Sequence, residues 1–330
     1  MKKIMVLSTG GTISTQFCSS AGGLVPKLNA DKLVSKVFQN EPFDEQIQIV
    51  SRTILLLNSS VLSMSSLCAI RECIQECFSD DSIDGIVVTH GTGMMEETAY
   101  FLDSTLDVIK PVVLTGAQRS IDQQDFDGAR NISESILVAA SGQSKGQGIL
   151  VVFNSEIFAA RDVTKVHSTS VQAFSSGSHG LLGIISLGKV IYYRKTIRPE
   201  AIQITSLEEN VDLIKFTIGA DARFIECSIA HGAKGIVIEG SGTGNVNESF
   251  YNGILSAIKR NILVGITTRT YEGRSLPIYA NIGGGATLQA AGAIMLGDLS
   301  GQKARLLLMA ALSDGRSIEQ SKALCLKHAM

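Results

Sequence analysis

No stretch of this 330-residue chain reaches the roughly 18 uninterrupted apolar residues needed to cross a bilayer. The apolar run near the N-terminus, Ile4 to Leu7 behind Lys2 and Lys3, stops at Gly10-Gly11, too short for a signal peptide or a membrane span. A cytoplasmic protein with no membrane partner is therefore expected. Tryptophan is absent and aromatics make up 5%, which says little about function. Paired CxxC spacing is also missing from the six cysteines, Cys18, Cys68, Cys73, Cys77, Cys227 and Cys325. Reduced, partly buried thiols are expected, with no metal site. Excess charge of either sign is lacking too. A net charge of -2 leaves no electrostatic footprint for nucleic acid and fits a small-molecule partner better. Neither GxGxxG nor GxxxxGK[ST] occurs, so the dinucleotide and phosphate-loop fingerprints are absent and no cofactor is expected.

The chain does have length and hydrophobicity. At 45% hydrophobic and 18% charged residues it is no disordered polypeptide, and 330 residues exceed what one core usually supports. Short β-branched runs, KIMVLSTGG, GIVVTHGTG, PVVLTGAQ and GILVVFN, read as strands followed by glycine-rich turns and helical patterns. Strands without polar alternation are covered on both faces, as in a parallel sheet. Ser63 to Phe78, with Leu67, Ile70, Ile74 and Phe78 at three- or four-residue spacing, predicts an amphipathic helix. The alternation implies an α/β fold: a doubly wound, mostly parallel sheet in a large N-terminal domain, plus a smaller C-terminal α/β domain. The pattern weakens around VIYYRK and Pro199, so the expected division is 1–190, a linker over 191–212, and 213–330, the last ending in a long helix from near Gln302.

Three polar segments follow the strands, where open α/β sheets collect ligands. In Ser8-Thr9-Gly10-Gly11-Thr12-Ile13 two glycines permit a tight turn that presents Thr12. In Thr89 to Thr98 small hydroxylated residues stand at a helix N-terminus and could orient a carboxylate or an oxyanion. On spacing alone, Thr92 as an N-cap and Glu96 as a first-turn acid is the plainer alternative. Arg161-Asp162-Val163-Thr164-Lys165 places a lysine that, if enclosed, would lose proton affinity and serve a threonine hydroxyl as base.

Together these segments resemble the bacterial-type L-asparaginase and glutaminase-asparaginase family, whose signatures run TGGTI and HGTDTMEETAYFLD. Here they stand as Thr9 to Ile13 and as HGTGMMEETAYFLD, His90 to Asp103. The resemblance continues in order through KPVVLTGAQRS, DGARN (Asp127 to Asn131), GILVVFNSEIFAARDVTK, GSGTGNVN and GDLSGQKARLLL. It implies hydrolysis of a side-chain amide, with Thr12 as nucleophile and Thr92 and Lys165 as the pair that takes its proton. Ser59 matches the ligand of the substrate carboxylate, and Gly11, Ser60, Gly91 and Gly93 are the other substrate-binding candidates around it. The resemblance also implies a homotetramer, a dimer of dimers, in which Asn245 of a neighbouring protomer completes each site. Read locally, Asn245 is equally well a cap for a helix starting near Asn247.

The chain departs from the family where an amine would bind. Gly93 replaces the signature's aspartate, Gly23 stands where the mobile loop's tyrosine is expected, and Gly283-Gly284-Gly285-Ala286 stands where a neighbour's glutamate would be. Removing one partner of an enclosed ion pair costs roughly 3–5 kcal/mol unless something compensates. Three explanations are open: a substrate without a free α-amine, a substitute acid such as Asp125 or Asp162, or a protein that binds a small molecule without turning it over. Thr12, Ser59, Thr92 and Lys165 standing together favour the first. The Gln16 to Leu24 segment is expected to be an irregular lid, and Tyr271 or Tyr279 could stand in for the missing tyrosine.

Overall fold

The structure, a computed structural model, describes residues 1–38, 43 and 46–329. Two compact units divide between Arg198 and Pro199. Met330, where the second predicted domain ends, lies outside the described residues.

The first unit runs β1 (Lys2–Gly10), β2 (Thr15–Cys18), β3 (Gly23–Pro26), α1 (Ala30–Val37), β4 (Ile47–Leu57), α2 (Met64–Ser79), β5 (Gly85–Thr89), α3 (Met95–Thr105), β6 (Val112–Thr115), α4 (Gly128–Ala140), β7 (Ile149–Phe153), β8 (Glu156–Ala159), β9 (Thr164–Lys165), β10 (Phe174–Ser175), β11 (Gly183–Ser186) and β12 (Lys189–Tyr192). Eight of these strands form one mixed sheet in the order β12-β11-β8-β7-β6-β5-β1-β4, its β4, β1, β5, β6 and β7 portion parallel. Every residue of β5, β6 and β7 is buried, which is why those runs lack polar alternation. α2 forms where the apolar spacing places it, with Ser63 as its N-cap in a capping box.

The chain goes from β1 outward to β4, then returns to the other side of β1 for β5. Strand order therefore reverses at β1, the switch point at whose carboxyl edge α/β sheets bind ligands. Four neighbouring carboxyl ends result: β4 leads into Ser59, β1 into Thr12, β5 into Thr92 and β6 into Gln118.

Two segments differ from the sequence expectation. β7 is followed by no helix. Asn154 and Ser155 adopt left-handed φ of 52° and 63° and return the chain as antiparallel β8. This two-residue turn contains no glycine to mark it; Asn154 Oδ1 accepts from Arg130 and Ser155 Oγ donates to Glu134 instead. Over Gln16 to Leu24 the chain forms the β2–β3 hairpin, whose four-residue strands are too short to show a period. Asp122 holds it by accepting from the Phe17 amide at 3.1 Å.

The second unit contains β13 (Val211–Lys215), α5 (Arg223–Ala230), β14 (Gly235–Gly240), α6 (Glu248–Ile258), β15 (Leu263–Thr268), α7 (Gly285–Ala290), β16 (Ile294–Met295), α8 (Gly301–Ala311) and α9 (Ile318–His328). Its four strands are all parallel, in the order β13-β14-β15-β16. The single long terminal helix of the sequence reading is two, α8 and α9, broken where Asp314 and Gly315 both take positive φ. No helix among the described residues is long and apolar enough to cross a membrane.

Leu150, at the second position of β7, is fully buried in the first unit's core with Val113 and Val152. Leu150→Ala should cost about 2–5 kcal/mol of unfolding free energy in a urea titration of that unit. A loss below about 1 kcal/mol would show that the core is not packed around this strand as described.

Candidate active site

The β1 turn is tight because only glycine fits. Gly10 and Gly11 have φ of 103° and 78°. A Cβ on Gly10 would fall on the backbone of Leu57, and one on Gly11 on the backbone of Gly91. The loops after β4, β1 and β5 are thus pressed together, and Thr9 Oγ1 ties them further by donating to the Thr89 carbonyl at 3.0 Å. Thr12 opens a single 3-10 turn and is half-buried. Its carbonyl accepts from Thr15 Oγ1 at 2.7 Å. The Gly11 amide already donates to Leu57 O at 2.9 Å, and the missing side chain of Gly11 makes room for Gly91, so its part in the site is to pack the loops.

In the β5 loop, His90 is fully buried. Its Nδ1–H donates to the Gly91 carbonyl at 2.8 Å, and its Nε2 accepts from Thr98 Oγ1 at 3.1 Å. Burial pushes its pKa down to about 4, so the ring stays neutral and props the loop. Thr92 is not a helix cap: α3 begins at Met95, with Met94 in the cap position. Its Oγ1 instead accepts from Lys165 Nζ at 2.8 Å, and it donates to Gln118 Oε1 at 3.4 Å. Ser59 lies against the same loop, since a Cβ on Gly93 would stand 3.3 Å from Ser59 Oγ and one on Gly91 closer still. Ser60 follows in the 3-10 turn Ser59–Val61 and is exposed.

Lys165 ends β9, which pairs with β10. Its amide donates to Glu96 Oε2 at 2.9 Å. Desolvation by burial draws the Lys165 ammonium below its ordinary pKa, and the Glu96 carboxylate partly opposes this. Glu96 is therefore the acid near Lys165. Neither alternative suggested by sequence takes that place: Asp125 pairs with Arg119 at 2.7 Å, and Asp162 with Arg194 at 3.3 Å and Arg161 at 3.5 Å. Beside Gly93 and Lys165 lies an open cavity of about 360 Å³.

Sequence reasoning gave no role to the residues that brace these loops. Buried Asp127 accepts from the amides of Gln118 and Arg119, at 3.1 and 2.9 Å, and from Asn131 Nδ2 at 3.2 Å. It holds the β6 loop so that Gln118 meets Thr92, with Gln118 Nε2 buried and unpartnered among the described residues. The sequence signal was an acid just before a helix, which reads as a cap; here its side chain makes no capping bond.

In the second unit, Asn245 is not the cap of α6. Asn247 fills that position, accepting from Phe250 N at 2.9 Å. Asn245 Oδ1 accepts from Gly285 N at 3.2 Å, and its side chain lines a cavity of about 430 Å³ with Glu272, Arg274 and Tyr279. Among the described residues no cluster of His, Cys, Asp and Glu could hold a metal ion.

With this geometry in hand, comparisons with known proteins converge. The family described as "Asparaginase, N-terminal" matches residues 3–198, and "Glutaminase/Asparaginase C-terminal domain" matches 210–324. L-asparaginase of Bacillus licheniformis is 35% identical over 312 residues, 94% of this chain and 96% of that protein. L-asparaginase 2 of Escherichia coli is 32% identical over 340 residues, 97% of this chain and 91% of that protein. The crystal structure of a probable cytoplasmic L-asparaginase from Campylobacter jejuni superposes with a TM-score of 0.85 at 30% identity, covering 99% of this chain and 100% of its own.

The electrostatics of Lys165 give a direct test. Glu96→Gln keeps an acceptor for the Lys165 amide but removes the charge that favours the ammonium, leaving burial unopposed. The midpoint of Lys165, followed by NMR titration of its Cε resonance, should move to lower pH in this variant. An unchanged or higher midpoint would contradict the assignment.

Proposed function

This chain belongs to the asparaginase family of amidohydrolases, and from that membership we propose that it hydrolyses a side-chain carboxamide, of asparagine or an amine-blocked relative, through an ester on Thr12. The observation that carries the reading is the 2.8 Å bond from Lys165 Nζ to Thr92 Oγ1, beside a glycine-packed turn that bears Thr12. A threonine hydroxyl is a poor nucleophile at its ordinary pKa and needs a nearby base. Lys165, half-buried and depressed in pKa, holds its neutral form at lower pH than a solvated lysine.

In this mechanism Thr12 Oγ1 attacks the amide carbon while its proton passes through Thr92 Oγ1 to Lys165 Nζ. The proton returns to the nitrogen, the C–N bond breaks, and ammonia leaves. Water then attacks the Thr12 ester, with Lys165 again taking the proton, and releases the carboxylate. Ser59 and Ser60 hold the substrate's carboxylate, Gly93 leaves room for its backbone, and Gly11 and Gly91 let the surrounding loops close up around it.

Gly93 decides the substrate's amine end. Lys165 already has Glu96, so no free acid waits for an ammonium there. An uncharged or acylated α-nitrogen fits this surface better than a charged one. Family membership further supports a cytoplasmic homotetramer, a dimer of dimers, in which a neighbour's Asn245 completes the site. Tyr279, which lines the cavity of Asn245, and Tyr271, Ile278 and Ile282, which adjoin cavity-lining residues in sequence, are 53–60% exposed and suit burial by another protomer.

An ammonia-release screen over asparagine, glutamine, their D-forms and N-acylated derivatives tests the activity. Turnover of the best substrate should fall about 10³-fold or more in Thr12→Ala. Ligand-induced thermal stabilisation with no turnover of any amide would favour a binding protein instead. Gly93→Asp meets only Ser59 Oγ at its new Cβ, and it should raise the kcat/KM ratio of free asparagine to N-acylated asparagine by about tenfold. An unchanged ratio counts against the substrate assignment.

A further inference from the structure

We propose that the cavity beside Gly93 is a subsite for the acyl group of an N-acylated amino-acid amide, with the acyl carbonyl received by His167 and Ser168. The proposal rests on the amidohydrolase reading and adds a committed ligand chemistry to it. The cavity, about 360 Å³, is lined by Gly93, Glu96, Lys165, Val166, His167 and Ser168. That volume falls within the range of small-molecule sites.

Hydrogen bonding fixes what the wall presents. His167 Nδ1 accepts from the amides of Thr169 at 3.1 Å and Ser170 at 2.9 Å. An Nδ1 that accepts two N–H bonds carries no proton, so the ring bears its hydrogen on Nε2, which is left as a donor. The loop carrying this ring is built rather than loose. Val166 N and His167 N both donate to Ala173 O, at 2.8 and 3.3 Å, and Arg119 Nη1 donates to Thr169 O at 2.8 Å. Arg119 is itself held by Asp125 at 2.7 Å.

The residues lining the cavity thus carry an imidazole N–H and a serine hydroxyl besides Lys165, with half-exposed Val166 as apolar surface. Its one carboxylate, Glu96, is engaged by the Lys165 amide. Donors in this number match a carbonyl oxygen and oppose an ammonium. An acylated α-nitrogen supplies that oxygen, and its alkyl part lies on Val166. Gly93 is what opens the route, because a Cβ there would have no contact within 4 Å except Ser59 Oγ.

The experiment compares kcat/KM for ammonia release by the full-length protein on succinamic acid, which has the amide and carboxylate but no α-nitrogen, on N-acetyl-asparagine, and on N-acetylglycyl-asparagine. The N-acetyl compound should exceed succinamic acid by about tenfold, the contribution of one well-made hydrogen bond. In His167→Ala that ratio should fall towards one, and in His167→Asn, whose carboxamide can both accept from the two amides and donate, it should recover. The dipeptide arm shows whether the natural group is a small acyl or a peptide. Succinamic acid cleaved as well as N-acetyl-asparagine, or a ratio indifferent to His167→Ala in a protein of unchanged thermal stability, overturns the subsite but leaves the hydrolase reading standing. Should no amide be turned over, that reading fails, and thermal stabilisation decides the subsite alone. Stabilisation by N-acetyl-asparagine but not by succinamic acid supports it, and equal or no stabilisation by the two overturns it.

Discussion

The Lys165 ammonium is drawn half out of water to reach a threonine hydroxyl, and the site is arranged around that contact. A solvated lysine gains little from such a bond and keeps its proton. Burial shifts the balance towards the neutral amine, and in the proposed mechanism the 2.8 Å approach to Thr92 gives that amine a proton path. The contact joins two loops far apart in sequence, so it depends on everything that holds them. Asp127 braces the loop that meets Thr92, His90 props the loop that carries it, and Glu96 anchors the Lys165 backbone.

The same arrangement explains how the chain tolerates glycine at position 93. An enclosed lysine stripped of its acid would be costly. Here Glu96 supplies negative charge from the first turn of α3, and the lysine is only partly enclosed. On the proposed reading, loss of the aspartate leaves the base in place, and its consequence falls on the amine end of the substrate.

Much of this was legible in the sequence, and the limits have physical causes. Strands β1, β5 and β6 announced themselves because burial on both faces demands unbroken apolar runs, and α2 because one face repeats at helical spacing. The β7–β8 hairpin was missed, since Asn154 and Ser155 reach left-handed φ without the glycine that usually marks such a turn. Local spacing pointed the wrong way at Thr92 and left Asn245 open. Thr92 lies three residues before α3, and the cap of α6 is Asn247, two residues after Asn245. Hydroxyl and amide side chains near a helix start look alike in sequence whether they cap the helix or face a cavity. The pairing of Lys165 with Thr92 was carried by family resemblance, because the partners stand 73 positions apart and only the tertiary fold brings them together. Glu96 and Asp127 had no signal beyond ordinary helix-terminal acids.

If Thr12 is the nucleophile, the enzyme must carry its substrate's acyl group as an ester during turnover. Acid quenching within the first turnovers on N-acetyl-asparagine, followed by proteolysis at low pH and mass spectrometry, observes that species. The account predicts an added acyl mass on the peptide containing Thr12, lost on treatment with alkaline hydroxylamine, which cleaves esters and leaves amides intact. Ammonia release accompanied by the acyl mass on a different residue would contradict it.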